Sequence, residues 1–237
     1  MRLDLYLTEK QLCKSRTAAQ SLIKSGGVQF NGGVCQKPSQ EVSDSDSVAI
    51  IGEQLRYVGR GGLKLEGAIK HFGLELSGAE CIDIGSSTGG FTDCMIQNGA
   101  AKVYAVDVGR DQLAESLRGD PRVVSMEQTD IRTAELPQVD FIGTDVSFIS
   151  LRLIIPHIFR LLKTGGTAVA LIKPQFEAGK SNLSKNGIVR DEKLRLKICR
   201  EISGFAEECG FEVVGTAPSP ITGGDGNVEY LLCLKKH

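Results

Sequence analysis

The 237-residue chain has no excess of charge of either sign: 28 Lys and Arg stand against 29 Asp and Glu, for a net charge of -1. That removes the global signature of a nucleic-acid binder, so any basic surface must be local. No apolar run approaches the roughly 20 residues that a membrane-crossing helix needs. The first residues, Met1-Arg2-Leu3-Asp4, lack the apolar core of a secretory signal, and the cytoplasm is the expected compartment. None of the seven cysteines (Cys13, Cys35, Cys81, Cys94, Cys199, Cys209 and Cys233) forms a C-x-x-C pair, and His71, His157 and His237 are scattered, so no metal site is expected. The odd count and the apolar surroundings of most cysteines point to reduced, buried thiols. What remains is an ordinary globular composition, 41% hydrophobic and 24% charged, in a chain long enough for one large domain or two unequal ones.

The chain is organised around Glu80-Cys-Ile-Asp-Ile-Gly-Ser-Ser-Thr-Gly-Gly-Phe-Thr-Asp93, which reads as a short apolar strand, a glycine-rich turn and the start of a helix. A doubly wound sheet binds ligands at this kind of edge. The turn is not the G-x-G-x-x-G of dinucleotide sites, and an acid, Asp83, stands just before it. A pyrophosphate prefers an uncharged, donor-rich turn. A carboxylate suits a cationic ligand, and S-adenosylmethionine carries both an ammonium group and a positive sulfur. The expected contacts are Asp83, Gly85, Ser86, Ser87, Thr88, Gly89, Gly90 and Phe91. Asp107, 24 residues beyond Asp83 at the end of a second strand, suits the ribose hydroxyls of an adenosine. Asp130 and Ile131 follow a third strand as adenine contacts. The other readings are an NAD turn or a purely structural one.

Residues 1–51 have a different grammar. Leu3, Leu5, Tyr6 and Leu7 open a short helix, and Ser15 to Gly26 reads as a second, capped by Ser15 and striped by Ala18, Ala19, Leu22 and Ile23. Val28 to Val34 gives two strands about an Asn31-Gly32 turn. Val42 and Val48 to Ile51 supply further strand material. Arg2-Leu3-Asp4, Ser15-Arg16, Ala19, Leu22-Ile23, Gly26, Val28, Val34, Lys37-Pro38 and Val42 resemble the RNA-binding module named after small-subunit ribosomal protein four. The resemblance implies that Lys14, Arg16 and Lys37, with Arg2 and Lys10 nearby, face phosphates of structured RNA, read by shape and backbone. Residues 52–60 are the expected joint, where Arg56 and Arg60 also meet RNA backbone.

Residues 61–237 alternate apolar strands with helical patterns, which predicts an α/β domain with a mostly parallel sheet. Helices are expected over 61–72, 151–162 (kinked at Pro156) and 191–209. Strands are expected over 80–84, 103–107, 122–126, 139–145, 167–173, 211–216 and 229–235, with a turn at Gly165-Gly166 and a polar loop over 176–187. No helix separates the last two strands, so the final one is expected to run antiparallel. Asp145 and Lys173 then lie at the C-terminal strand ends. Glu229 begins a reversed strand at the same edge, and Lys64 sits in the first turn of a helix starting there. Two lysines between two acids suit proton removal from an alcohol. A lysine acts as a base only if it titrates well below its usual value of about 10.4; burial and a second cation push it down, and acids push it up. Lys173 is the base candidate, Lys64 its neighbouring cation, and Asp145 and Glu229 the orienting acids. The alternative is that each is a solvated surface charge.

This set is similar to the Lys-Asp-Lys-Glu tetrad of FtsJ-type RNA ribose methyltransferases. The full chain resembles the TlyA (hemolysin A) family through Val58-Gly-Arg-Gly-Gly-Leu-Lys-Leu65, Asp83 to Thr92, Thr144-Asp-Val-Ser-Phe-Ile149, Ile172-Lys-Pro-Gln-Phe-Glu177 and Gly226-Asn-Val-Glu-Tyr230. That resemblance implies a Rossmann-like class I methyltransferase domain with seven strands behind the RNA-binding module. It also implies S-adenosylmethionine as donor, Asp145 among its contacts, and 2′-O-methylation of cytidine in ribosomal RNA or ribosomal subunits. Gly59 departs from it, since serine often precedes Arg-Gly-Gly in the family. Other function classes are a non-catalytic RNA-binding protein of the same fold, a membrane-lysing protein as the family name suggests, and, weakest, a nicotinamide-dependent dehydrogenase.

Overall fold

The computed structural model describes residues 1–13, 15–24, 26–51, 56–179, 182–223 and 226–237. Lys14 and residues 52–55 of the expected joint lie outside that set. The chain forms two compact units, Met1–Val58 and Gly59–His237.

In the first unit, α1 (Leu3–Glu9) and α2 (Arg16–Lys24) pack on a three-stranded antiparallel sheet of β1 (Val28–Phe30), β2 (Gly33–Cys35) and β3 (Val48–Ile50), in the order β2-β1-β3. Ser15 Oγ accepts the Ala18 N–H at 3.2 Å and caps α2. Asn31 and Gly32 both take positive φ, at 48° and 81°, as a two-residue hairpin turn matched to strand twist requires. Leu3, Leu7, Ala19, Leu22, Ile23 and Val28 form the core. Val42 joins that core but no strand. Its N–H goes to the Met1 carbonyl, and only its neighbour Glu41 makes a single bridge, to Arg2.

The second unit begins with α3 (Gly61–Phe72) and continues through β4 (Glu80–Ile84), α4 (Gly90–Gln97), β5 (Lys102–Val106), α5 (Glu115–Arg118), β6 (Val123–Met126) and β7 (Val139–Thr144). It ends with α6 (Ile155–Leu161), β8 (Leu162–Ile172), α7 (Pro174–Glu177), α8 (Glu192–Glu208), β9 (Phe211–Pro218) and β10 (Tyr230–Lys236). The seven strands lie in the order β6-β5-β4-β7-β8-β10-β9; β10 is antiparallel to both neighbours and the other pairings are parallel. The core runs across the middle strands through Ile82, Ile142, Ala168, Ala170 and Leu232, under Ile155, Ile158, Ile198 and Ile202. Among the described residues no helix is long and apolar enough to cross a membrane.

Three local expectations are corrected. Pro156 kinks nothing: a 3-10 turn, Leu151–Leu153, precedes it, and it sits in the first turn of α6, where its missing N–H costs no bond. Gly165-Gly166 is no turn ahead of the strand but lies inside β8, where pairing jumps from Val139↔Leu162 to Phe141↔Thr167 and the excess residues bulge. The loop expected from Phe176 starts as the short α7, because Pro174 presets its first residue.

One contact joins the start of α3 to the start of α4. A Cβ on Gly90 would lie 2.9 Å from the Gly62 nitrogen and 3.2 Å from the Gly59 oxygen, both backbone atoms that no side-chain rotation can move. Gly90→Ala is therefore expected to separate α4 from the start of α3 and to cost about 1–3 kcal/mol. Denaturant unfolding checks this, and a loss below about 0.5 kcal/mol contradicts the contact.

Candidate active site

Gly85 and Gly89 take positive φ, at 81° and 94°, and turn the chain from β4 into α4. Asp83, 0% exposed, is the last residue but one of β4. Its Oδ2 accepts from the Thr92 N–H at 2.9 Å and the Thr92 hydroxyl at 2.6 Å. Its Oδ1 is buried with no hydrogen-bond partner among the described residues, as is Thr144 Oγ1 on the neighbouring strand. Burial, opposed by the Thr92 bonds, pushes the Asp83 carboxyl up from 3.8 to about 7. Ser86 and Phe91 are buried beside it, whereas Ser87 and Thr88 are exposed on the turn.

Asp107 follows β5. Its two oxygens accept from Gly109 N at 2.7 Å and Ser87 N at 2.8 Å. An ionised carboxylate has about four acceptor positions, so each oxygen keeps capacity for a ribose hydroxyl. Asp130 is engaged by the Arg132 guanidinium through both oxygens, which holds it down at about 2, and Ile131 is buried beside it. These groups fit S-adenosylmethionine: its cationic end would supply the partner that Asp83 Oδ1 lacks, and its ribose hydroxyls would suit Asp107.

At the same edge, four charges form one connected chain. Lys173 Nζ lies 2.6 Å from Asp145 Oδ1, while Asp145 Oδ2 lies 3.3 Å from Lys64 Nζ. Lys64 Nζ donates in turn to Glu229 Oε2 at 2.6 Å. Lys64, Lys173 and Glu229 are 7%, 8% and 3% exposed. α3 supplies Lys64, and Lys173 is the residue between β8 and α7. Asp145, just past β7, is tied to β4 by its N–H to the Ile84 carbonyl at 3.0 Å. Glu229 stands one residue before β10 and packs so closely on Gly223 that a Cβ there would sit 2.1 Å from its Oε1. The strand reversal at β10 is what brings Glu229 to the edge where the parallel strands end.

Motif reading passed over three neighbours. Ser147 Oγ accepts from Lys173 Nζ at 2.9 Å. Phe148 is 92% exposed at φ 63°, a conformation bulky residues avoid, and leans on Phe176 with ring centroids 5.0 Å apart. Glu177 clasps this segment by accepting from Ser150 Oγ at 2.6 Å and Leu151 N at 2.8 Å. Ser147, Phe148 and Glu177 all lie within the motif stretches around Asp145 and Lys173, but nothing in their spacing marks them.

The expected RNA contacts are distributed over both units. In the first, Arg2 and Arg16 both pair with Asp4, Lys10 lies 5.9 Å from the Tyr6 ring centroid, and Lys37 and Arg56 are exposed. In the second, Arg60 is exposed and donates to the Thr222 carbonyl at 3.0 Å. A side chain at Gly59 would meet Thr88 Oγ1 at 2.6 Å, so a serine there would require Thr88 to shift. A cleft of about 360 Å³ lined by Leu74, Ala79, Asp140 and Lys163 opens at the opposite, N-terminal end of the strands and shares none of these residues. Among the described residues no His, Cys, Asp and Glu cluster is arranged to hold a metal ion.

Asp83 makes the ligand-free site a source of pH dependence. Its folded value of about 7 lies above the unfolded 3.8, so its contribution to stability is full below about pH 4 and is lost as pH rises through 7. The loss by pH 8 approaches about 4 kcal/mol. Asp83→Asn keeps an acceptor for Thr92 and cannot ionise. It is expected to flatten urea-unfolding stability between pH 5 and 8 while weakening S-adenosylmethionine binding; parallel pH curves for the two proteins contradict the assignment.

Comparison with known proteins agrees with this architecture. Residues 57–236 match the family described as FtsJ-like methyltransferase, and residues 1–48 match the S4 domain. The protein named Hemolysin A from Brachyspira hyodysenteriae is 44% identical over 238 residues, covering 98% of this chain and 98% of its own. The 16S/23S rRNA (cytidine-2'-O)-methyltransferase TlyA from Mycobacterium tuberculosis is 41% identical over 239 residues, covering 99% of this chain and 89% of its own. A solved structure from Streptococcus thermophilus is 46% identical with a TM-score of 0.79, over 100% of this chain and 88% of that one. The chain belongs to the FtsJ-like methyltransferase family, as a member with an S4 domain in front that groups with the proteins named TlyA and hemolysin A.

Proposed function

We propose that this protein is an S-adenosylmethionine-dependent 2′-O-methyltransferase of ribosomal RNA, acting on cytidine ribose, either on free RNA or on ribosomal subunits. The observation that carries the reading is the buried Lys64–Asp145–Lys173–Glu229 chain beside an acid-flanked glycine turn. The substrate is inferred from the named activity of the TlyA relative and from the S4 domain. The activity belongs in the cytoplasm, where ribosomal RNA is made and assembled in bacteria.

When bound, S-adenosylmethionine supplies an electrophilic methyl group. Asp83, Asp107 and the 85–91 turn hold it. The protein's own chemistry is to present a ribose oxygen and take its proton. Lys64 is held by both acids, Asp145 Oδ2 and Glu229 Oε2. Lys173 is shared between Asp145 Oδ1 and the Ser147 hydroxyl. In its free-amine form it accepts the proton of the 2′-hydroxyl, and Asp145 pairs with the ammonium so formed. Positioning of the oxygen contributes much of the rest of the rate. The exposed ring of Phe148 offers a face on which an unpaired base stacks, as RNA sites commonly do.

Transfer of tritiated methyl groups to ribosomal RNA and to isolated subunits tests this. Lys173→Ala is expected to cut transfer by about 10²–10⁴-fold with S-adenosylmethionine binding retained. Phe148→Ala is expected instead to raise KM for RNA by about tenfold, the worth of one stacked base. A Lys173→Ala protein that still transfers at the unaltered rate removes Lys173 from the chemistry; an unaltered chain that binds RNA but transfers no methyl group has a plain RNA-binding role.

A further inference from the structure

Asp4 is an acid that the proposed chemistry does not use. Its side chain is 0% exposed, yet it lies in the first turn of α1 in a unit of only 58 residues. Its two oxygens accept from Arg2 Nε and Nη2, both at 2.9 Å, and from Arg16 Nε at 3.1 Å. Gln20 Nε2 at 2.7 Å and the Leu5 N–H at 3.0 Å complete the set. The Arg2 guanidinium, bonded most directly, holds the carboxyl well below the usual range.

One arginine stands just before α1 and the other opens α2, and they share this one anion, but neither is buried: their side chains are 39% and 51% exposed. Each guanidinium is therefore pinned along one edge while the side chain still meets solvent. The same backbone is tied to a third basic position. Leu3 N donates to the Gln40 carbonyl at 2.7 Å and Asp4 N to the Pro38 carbonyl at 3.1 Å, just past the exposed Lys37. Residues 2, 16 and 37 thus belong to one frame that Asp4 helps to fix.

An arginine that must be ordered on binding loses side-chain entropy. One already held by a buried carboxylate loses less, and its remaining N–H groups keep the planar fork that suits phosphate oxygens. If the pairs served stability alone, one arginine would neutralise the acid.

We propose that Asp4 is the positioning residue of a phosphate-binding face on the first unit, holding Arg2 and Arg16 as fixed forks for the backbone of structured RNA. The proposal rests on the ribosomal-RNA reading above and adds to it a claim about how affinity arises. A negative charge raises the affinity for a polyanion, because orientation outweighs one unit of net charge.

The test is binding of the full chain to protein-free, refolded ribosomal RNA, without S-adenosylmethionine, over a range of salt concentrations. Asp4→Asn changes the net charge from -1 to 0, which by itself favours RNA. Positioning instead predicts binding weaker by about tenfold at fixed salt, with a shallower salt slope as phosphate contacts are lost. Hydrogen exchange over residues 1–58 reports whether that unit stays folded. Arg16→Lys, at a half-exposed site, keeps the charge and removes the fork; it is expected to weaken binding by about fivefold with the fold intact. A folded Asp4→Asn protein that binds as well as the unaltered chain or better overturns the proposal. So does undiminished binding by Arg16→Lys if Asp4→Asn unfolds the unit. Failure of the unaltered chain to bind RNA is a different result and removes the ribosomal-RNA reading itself.

Discussion

Asp145 divides its two oxygens between two lysines, and much of the second unit is arranged so that it can. Two cations and two anions nearly out of contact with water are tolerable only as a set, because each buried charge needs a neighbour of opposite sign. Removing any one leaves an uncompensated charge, typically worth about 3–5 kcal/mol. The set is thus a constraint on the fold as well as a candidate piece of chemistry. It demands that α3, the end of β7, the end of β8 and the start of β10 meet at one point. A sheet of purely parallel strands would carry Glu229 to the far edge; the antiparallel β10 prevents that.

The same edge carries the tension between stability and ligand binding. Asp83 and Thr144 are buried with polar atoms unpartnered among the described residues, a cost the ligand-free fold accepts. That cost makes sense where a cationic ligand completes the arrangement. Phe148 adds a second departure, a bulky residue at positive φ with its ring in water, held in place by the Glu177 clasp on Ser150 and Leu151. Both departures lie at the strand edge where the proposed chemistry occurs.

Period and capping made much of this legible in the sequence. Helix 61–72, strand 80–84 and the reversed last strand are found where the pattern of apolar residues and punctuation put them. Strand direction alone put Lys64, Asp145, Lys173 and Glu229 at one edge, and the geometry joins them; their catalytic roles remain the proposal. The misread pieces share a cause. Pro156, Gly165-Gly166 and Pro174 are residues whose meaning depends on whether they fall at the first turn of a helix or at a bulge, and a sequence window does not fix that position to within a residue or two. Asp4 was legible only as part of a module's wording. That it anchors Arg2, Arg16 and Gln20 depends on how α2 packs against α1, which no periodicity encodes.

The central claim is that the Lys173 edge presents a ribose oxygen rather than a base atom. The most direct measurement is the position of the transferred group: ribosomal RNA treated with the protein and S-adenosylmethionine carrying a deuterated methyl, digested to nucleosides and read by mass spectrometry. The account predicts the label on the sugar of cytidine, with the adjoining backbone bond resistant to alkaline cleavage. Label on a nucleobase, or none on any RNA under conditions where the protein binds the donor, contradicts it.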